Sequence, residues 1–165
     1  MNLELHYVGK REKNGNRKKT QRNGISSSWC AAAAGNYIAC VRVGNLLFVG
    51  GNTGRINGVR KFEGKVGEAV TLEQAYIMAR DCALNHLAII KAELGDLDRV
   101  ERIVKVLAYI NVAPGFTELP KVANGESDLL VSLWGDRGRH TRAAIGVAGL
   151  GSNASVETEI IVQVR

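Results

Sequence analysis

The sequence predicts an α+β domain: a mixed β-sheet with two helices packed on one face, in the order β-β-α-β-α-β-β. Three observations predict it. Residues 72–94 and about 118–134 space their apolar side chains as helices do. Gly44-Asn45 separates two short runs of β-branched and aromatic residues. The last quarter alternates apolar and polar residues with period two. A sheet covered on one face by helices is the economical packing for such a series. No repeat, linker or low-complexity segment divides 29–165, so this stretch reads as one domain.

The chain has 165 residues, enough to bury a sizeable core. Its net charge of +6 is unevenly placed. Residues 1–28 hold seven basic and two acidic side chains, which leaves the rest near neutral. The basic signal therefore belongs to an extension that reads as disordered, with a weak strand pattern at Leu3–Val8. Such an arm can contact nucleic acid or anionic membrane. It lacks the interleaved aromatics that stack on bases, so nucleic acid is not the expected partner. No run of about 18 apolar residues is present, and no membrane partner is expected. The charged N-terminus has no apolar segment behind it, which argues against a secretory signal. Cys30, Cys40 and Cys82 show no metal-ligand spacing and read as reduced thiols in a cytoplasmic protein. No metal and no cofactor are expected.

The first hairpin is placed at Tyr37–Val43 and Leu46–Val49. A glycine-rich loop runs from Gly50 to about Gly67. It lacks the Lys-Ser/Thr of a phosphate loop and the GxGxxG of a dinucleotide site, so flexible connection or close approach to a ligand explains it better. Leu72–Leu94 is the clearest helix. Thr71 and Gln74 form a capping-box pattern, one apolar stripe runs through Ala75, Ala79, Cys82, Ala83, Leu87 and Ile90, and Gly95 stops it. His86 lies on that stripe and reads as a buried, hydrogen-bonded histidine; Cys82 reads as a small hydrophobe. A long strand follows at Val100–Val112, with Val104, Val106, Ala108 and Ile110 on one parity. The second helix begins between Glu118 and Lys121, has Pro120 in its first turn, and ends at Trp134. Asn124-Gly125 predicts an irregular first turn.

Residues 139–164 read as a terminal hairpin, with strands at Ala143–Ala148 and Val156–Val164 about the turn residues Gly149 to Asn153. Arg142 enters the first strand and Glu157 begins the second. A cation and a carboxylate at the ends of one hairpin fit a small-acid site, and they equally fit a strand-end salt bridge.

Four collinear stretches carry a resemblance: GNYIACVRVGNLLFVGG, GKVGEAVTLEQAYIMARDCALNHLAIIKAELGDLDRV, FTELPKVANGESDLLVSLWG and GRHTRAAIGVAGLGSNASVETEIIV. From about Asn36 onward the chain resembles the RidA/YjgF group, also called endoribonuclease L-PSP, in its chorismate-mutase-like branch. The resemblance implies a chorismate-mutase-like fold and a homotrimer with ligand clefts between subunits. It implies hydrolysis of a small enamine or imine, such as 2-aminoacrylate or 2-iminopropanoate, to a 2-keto acid and ammonia, without a cofactor. Arg142 falls on the arginine that grips the substrate carboxylate, and Glu157 on the glutamate that orients water and handles protons. Tyr37 and Asn124 fall on residues at the cleft. Gly50 stands at a cleft position where the family often has serine, and Ala143-Ala144 replaces a Ser-Cys pair. His140, two residues before Arg142, is within reach of the cleft, although a surface or interface position is the plainer reading. The alternative to an enzyme is a non-catalytic binder of small carboxylates on the same trimer. A ribonuclease rests on the tail and the older family name, and a chorismate mutase on fold analogy alone.

Overall fold

Gly44 takes a positive φ of 59°, which lets a two-residue turn join β1 (Cys40–Val43) to β2 (Leu46–Asn52) in the antiparallel pair. The computed structural model describes residues 35–165. The basic extension, the Leu3–Val8 strand, the domain boundary at 29 and Cys30 lie outside the described residues. The first strand starts at Cys40 and not at Tyr37: Tyr37 and Ile38 precede it and are exposed.

The remaining elements are α1 (Leu72–Leu94), β3 (Val100–Asn111), α2 (Leu119–Trp134), β4 (Thr141–Val147) and β5 (Val156–Val164). The α+β plan holds, with two helices packed on a mixed five-stranded sheet of order β1-β2-β5-β3-β4.

The capping box at the start of α1 is complete. The Gln74 amide donates to Thr71 Oγ1 at 3.2 Å, and the Thr71 amide donates to Gln74 Oε1 at 3.0 Å. Gly95 ends the helix at φ 79°. The buried face of α1 is broad because it meets the sheet on one side and α2 on the other. The two helices touch backbone to backbone: a Cβ at Gly125 would lie 2.0 Å from the Tyr76 carbonyl oxygen. Gly125 therefore serves close packing, and α2 runs unbroken through Asn124-Gly125 where an irregular turn was expected. Cys82 and His86 are both buried, as their stripe predicts.

Two further expectations are corrected. The terminal hairpin does not form. β4 pairs in parallel with β3, from Lys105↔Thr141 to Asn111↔Val147, while β5 inserts antiparallel between β2 and β3. The connection 148–155 therefore crosses the end of β3. Ser152 and Asn153 do take left-handed turns (φ 51° and 55°), but within a wide loop. A parallel partner requires a crossover, and α2 supplies it. The parity of β3 also breaks. Register shifts at both 100–102 and 103–105 bury Ile103 and leave Val104 partly exposed. The even-numbered residues of β5 are buried, as its alternation predicts.

The glycine-rich loop is pinned at its far end. Gly64 and Val66 amides donate to the Asn153 and Asn111 carbonyls at 2.8 Å each. Lys65 Nζ reaches the Ala148 carbonyl at 2.6 Å.

The core lies between the sheet and the helices, with Leu47, Leu87, Ile103, Leu130 and Ile160 at its centre. The opposite sheet face is bare and exposes several large apolar side chains. Val43 is 61 % exposed, Val41 47 %, Ile145 44 % and Phe48 41 %.

Candidate functional site: an arginine at the sheet edge and a carboxylate on the bare face

Arg142 is the second residue of the edge strand β4 and aligns with Val106, whose side chain is buried under the helices. Its side chain thus turns toward α2. Residues three apart on a helix share a face, and Asn124 and Ser127 both present oxygen atoms to the guanidinium. Nη1 donates to Asn124 Oδ1 at 3.0 Å and to Ser127 Oγ at 2.9 Å. Nη2 donates to the Pro120 carbonyl at 3.2 Å. An arginine has five N–H donors. Three are committed, and among the described residues the Nε–H and one Nη2–H have no partner. Donors on these two nitrogens can take a carboxylate as a fork. The sequence-predicted pair Arg142 and Asn124 is brought together.

His140 joins the same cluster through Ser127. Its Nε2 lies 3.0 Å from Ser127 Oγ, and its Nδ1 lies 2.7 Å from the Gly138 carbonyl oxygen. Sequence reasoning missed Ser127. Its spacing from Asn124 on one helix face is the signal that could have found it.

Glu157 is elsewhere. Even-numbered residues of β5 face the helices, so Glu157 faces the bare side, across from Tyr109. Arg142 aligns with Val106 and Glu157 with Tyr109, which puts their Cα atoms roughly 14 Å apart, about 10 Å along the strands and about 10 Å across them. They point to opposite faces. Within one chain they form neither a common site nor the strand-end salt bridge that spacing allowed.

The carboxylate packs against Gly51: a Cβ there would fall 2.2 Å from Glu157 Oε1. Burial raises the Glu157 carboxyl above the usual carboxylate range, repulsion from Glu159 adds to this, and Arg60 opposes it. Tyr109 is also raised, by burial first and then by Glu159 and Glu157. Gly50 lies beside a concavity of about 280 Å³ on the bare face, with Phe48, Leu107 and Glu159 in its wall. Tyr37 is 63 % exposed and precedes β1, the edge strand opposite to the β4 of Arg142. The five predicted site residues thus fall into three places. Among the described residues no cluster of His, Cys, Asp and Glu could hold a metal ion.

Residues 19–156 match the family described as "YjgF/chorismate_mutase-like, putative endoribonuclease". The chain belongs to this family. Protein TCP17 of Trypanosoma cruzi is 41 % identical over 146 residues, covering 88 % of this chain and 91 % of that one. Among solved structures, protein Atu1372 of Agrobacterium tumefaciens, titled as of unknown function, is 36 % identical at a TM-score of 0.83, covering 91 % and 93 % of the two chains. An endoribonuclease-titled protein of Shewanella oneidensis is 28 % identical at a TM-score of 0.86, covering 92 % and 100 %. The YjgF-type fold therefore fixes where β4 and β5 lie, and so the separation of Arg142 from Glu157 within a subunit.

No helix among the described residues is long and apolar enough to cross a membrane.

Proposed function

We infer that this family member hydrolyses a small imine or enamine carboxylate to a 2-keto acid and ammonia, in clefts between the copies of a homotrimer. The observation that carries this is the state of Arg142. Its guanidinium is clamped by three hydrogen bonds and keeps two donors for a carboxylate. Clamping matters because a pre-placed fork loses little freedom on binding.

Placement supports an assembly. A bare sheet face that exposes several large apolar side chains suits an interaction surface, and cyclic symmetry would repeat one contact around a closed ring. Arg142 lies at a sheet edge and Glu157 on the bare face. One copy's edge seated on its neighbour's bare face would bring the two groups into one cleft, with Gly50 and the 280 Å³ concavity in its wall. Water would then add to the C=N carbon while nitrogen receives a proton. The Glu157 carboxylate is the group on that side of the cleft able to orient the water and handle the proton. No cofactor enters this chemistry. The reduced thiol of Cys82 fits a reducing compartment, and we place the protein in the cytoplasm.

Ammonia release from imines generated by an amino-acid oxidase tests the proposal. Arg142→Ala should abolish it; full activity in that variant removes the arginine from the mechanism. Mixing gives the sharper result. Arg142→Ala and Glu157→Gln chains, each inactive alone, should regain activity when unfolded and refolded together, because some mixed interfaces carry both groups. A mixture as dead as its parents rejects a site shared between copies.

The second reading is a binder of small carboxylates without turnover, favoured by the absence of any side chain at Gly50 in the concavity wall. It requires 2-keto acid binding with no hydrolysis of any imine.

A further inference from the structure

The Arg142 site also contains a serine and a histidine in an arrangement that has a direction. The Gly138 carbonyl can only accept a hydrogen bond, so His140 Nδ1, 2.7 Å away, carries a proton. In the neutral ring Nε2 is then an acceptor, and the Ser127 hydroxyl donates to it at 3.0 Å. Ser127 Oγ accepts from Arg142 Nη1 at 2.9 Å on one lone pair. Its second lone pair has no partner among the described residues. A hydroxyl whose proton faces an imidazole, whose imidazole is held by a third group, and whose oxygen lies beside a cation is the general pattern of an activated oxygen.

We propose that Ser127 and His140 form a proton relay at the carboxylate-gripping arginine, with Ser127 touching the reacting water and His140 holding the proton. This rests on the hydrolase reading above and adds a base supplied by the same copy as Arg142. Consider an iminium ligand whose carboxylate lies on the free Arg142 donors. A water proton passes to the open lone pair of Ser127 Oγ as the Ser127 proton passes to His140 Nε2. The water oxygen bonds the C=N carbon, and the π pair becomes the lone pair of nitrogen. The imidazolium stays fully paired, donating to Ser127 Oγ and to the Gly138 carbonyl. Its proton then returns through Ser127 to the amine nitrogen. The C–N bond breaks as the C=O bond forms, and the hydroxyl proton leaves with ammonia as ammonium. The balance is iminium plus water to keto acid plus ammonium, and His140 ends as it began.

The test uses the full chain and three variants: Ser127→Ala, Ser127→Thr and His140→Asn. Ammonia release is measured with 2-iminobutanoate, and binding is measured calorimetrically with 2-oxobutanoate. Ser127→Ala and His140→Asn should each lower kcat about 100-fold while the keto-acid Kd moves less than about threefold. Ser127→Thr keeps the hydroxyl and should recover most of the loss. Unchanged kcat in either of the first two variants overturns the relay. So does a loss confined to affinity, which would make the pair a strut for Arg142. If the parent chain binds the keto acid but releases no ammonia, the hydrolase reading fails by itself, and calorimetry in two buffers of different ionisation heat decides the relay. Proton exchange on binding that disappears in His140→Asn supports it. Equal heats in both buffers for the parent chain overturn it.

Discussion

The two faces of the sheet are made by the same strands and have opposite chemistry. Beneath the helices, β2, β3 and β5 contribute Leu47, Val49, Val106, Ile160 and Val162, all essentially without exposure. On the bare side the same strands contribute Phe48, Leu107 and Ile161 beside Lys105, Glu157 and Glu159. The covered side also holds a buried polar pair. His86 Nδ1 and Glu126 Oε1 meet at 2.9 Å, with both side chains fully buried between α1 and α2. The bare face holds half-buried carboxyls in an unfinished environment. The two sides of one sheet thus differ in burial, and the Arg142 cluster sits at its β4 edge.

The largest expected effect belongs to the covered face. Glu126→Ala would leave His86 fully buried without a partner and should cost about 3–5 kcal/mol of unfolding free energy. Replacing both residues with leucine should be close to neutral, because a hydrophobic pair avoids the desolvation of buried polar groups. Urea unfolding of the single and double variants reads both. His86 Nε2 and Glu126 Oε2 have no hydrogen-bond partner among the described residues, which sharpens the contrast between the two variants. A double variant as unstable as Glu126→Ala would mean the pair specifies the helix packing.

The bare face should respond in assembly and not in folding. Ile145→Glu places a charge on β4 where the side chain is 44 % exposed in the single chain. Burying that charge against a neighbour should weaken association by about 2–4 kcal/mol. If the parent chain forms the trimer proposed above, sedimentation should show it giving way to monomer at micromolar concentration, with the circular dichroism spectrum unchanged. A variant that remains trimeric means that this part of the face is not covered.

The contrast between the faces was legible in part from the residues alone. The α1 helix is legible to its ends because Thr71 with Gln74 at one end, and Gly95 at the other, each act within a few residues of the end they cap. The faces of β5 followed from its alternation. Strand partners were not legible. Ala143–Ala148 and Val156–Val164 look like a hairpin locally, yet β3 lies between them because pairing is decided by distant chain segments. The bulges in β3 were hidden for the same reason, since a register shift depends on the neighbour strand. At the site, Arg142 and Asn124 were found by resemblance and do meet. Ser127 went unseen because its partners come from β4 and from the turn after α2. The residues alone place Arg142 and Glu157 at the two ends of one hairpin, and β3 lies between their strands instead. The parallel placement of β4 sends them to opposite faces.

The smallest effect concerns Glu157. Burial raises its carboxyl in the folded chain above the unfolded value. Between those two values the folded chain binds more protons than the unfolded one, so stability falls as pH rises through that window. Below the unfolded value both states are protonated, and the penalty is absent. Glu157→Gln removes the charge at every pH. The variant should therefore be more stable than the parent at neutral pH, by less than about 1 kcal/mol because the group is half open to solvent. The difference should vanish on acidification to below the ordinary carboxylate range. Thermal unfolding across that range checks it, and it should be done on the monomeric Ile145→Glu background, where no neighbour contributes a countercharge. In the assembled protein a cationic neighbour would pull the same carboxyl down and reverse the sign. Opposite pH slopes in monomer and trimer would thus report, without any assay of activity, that a positive group from a second copy reaches Glu157. Matching slopes would leave Arg142 and Glu157 as far apart in the assembly as they are in one chain.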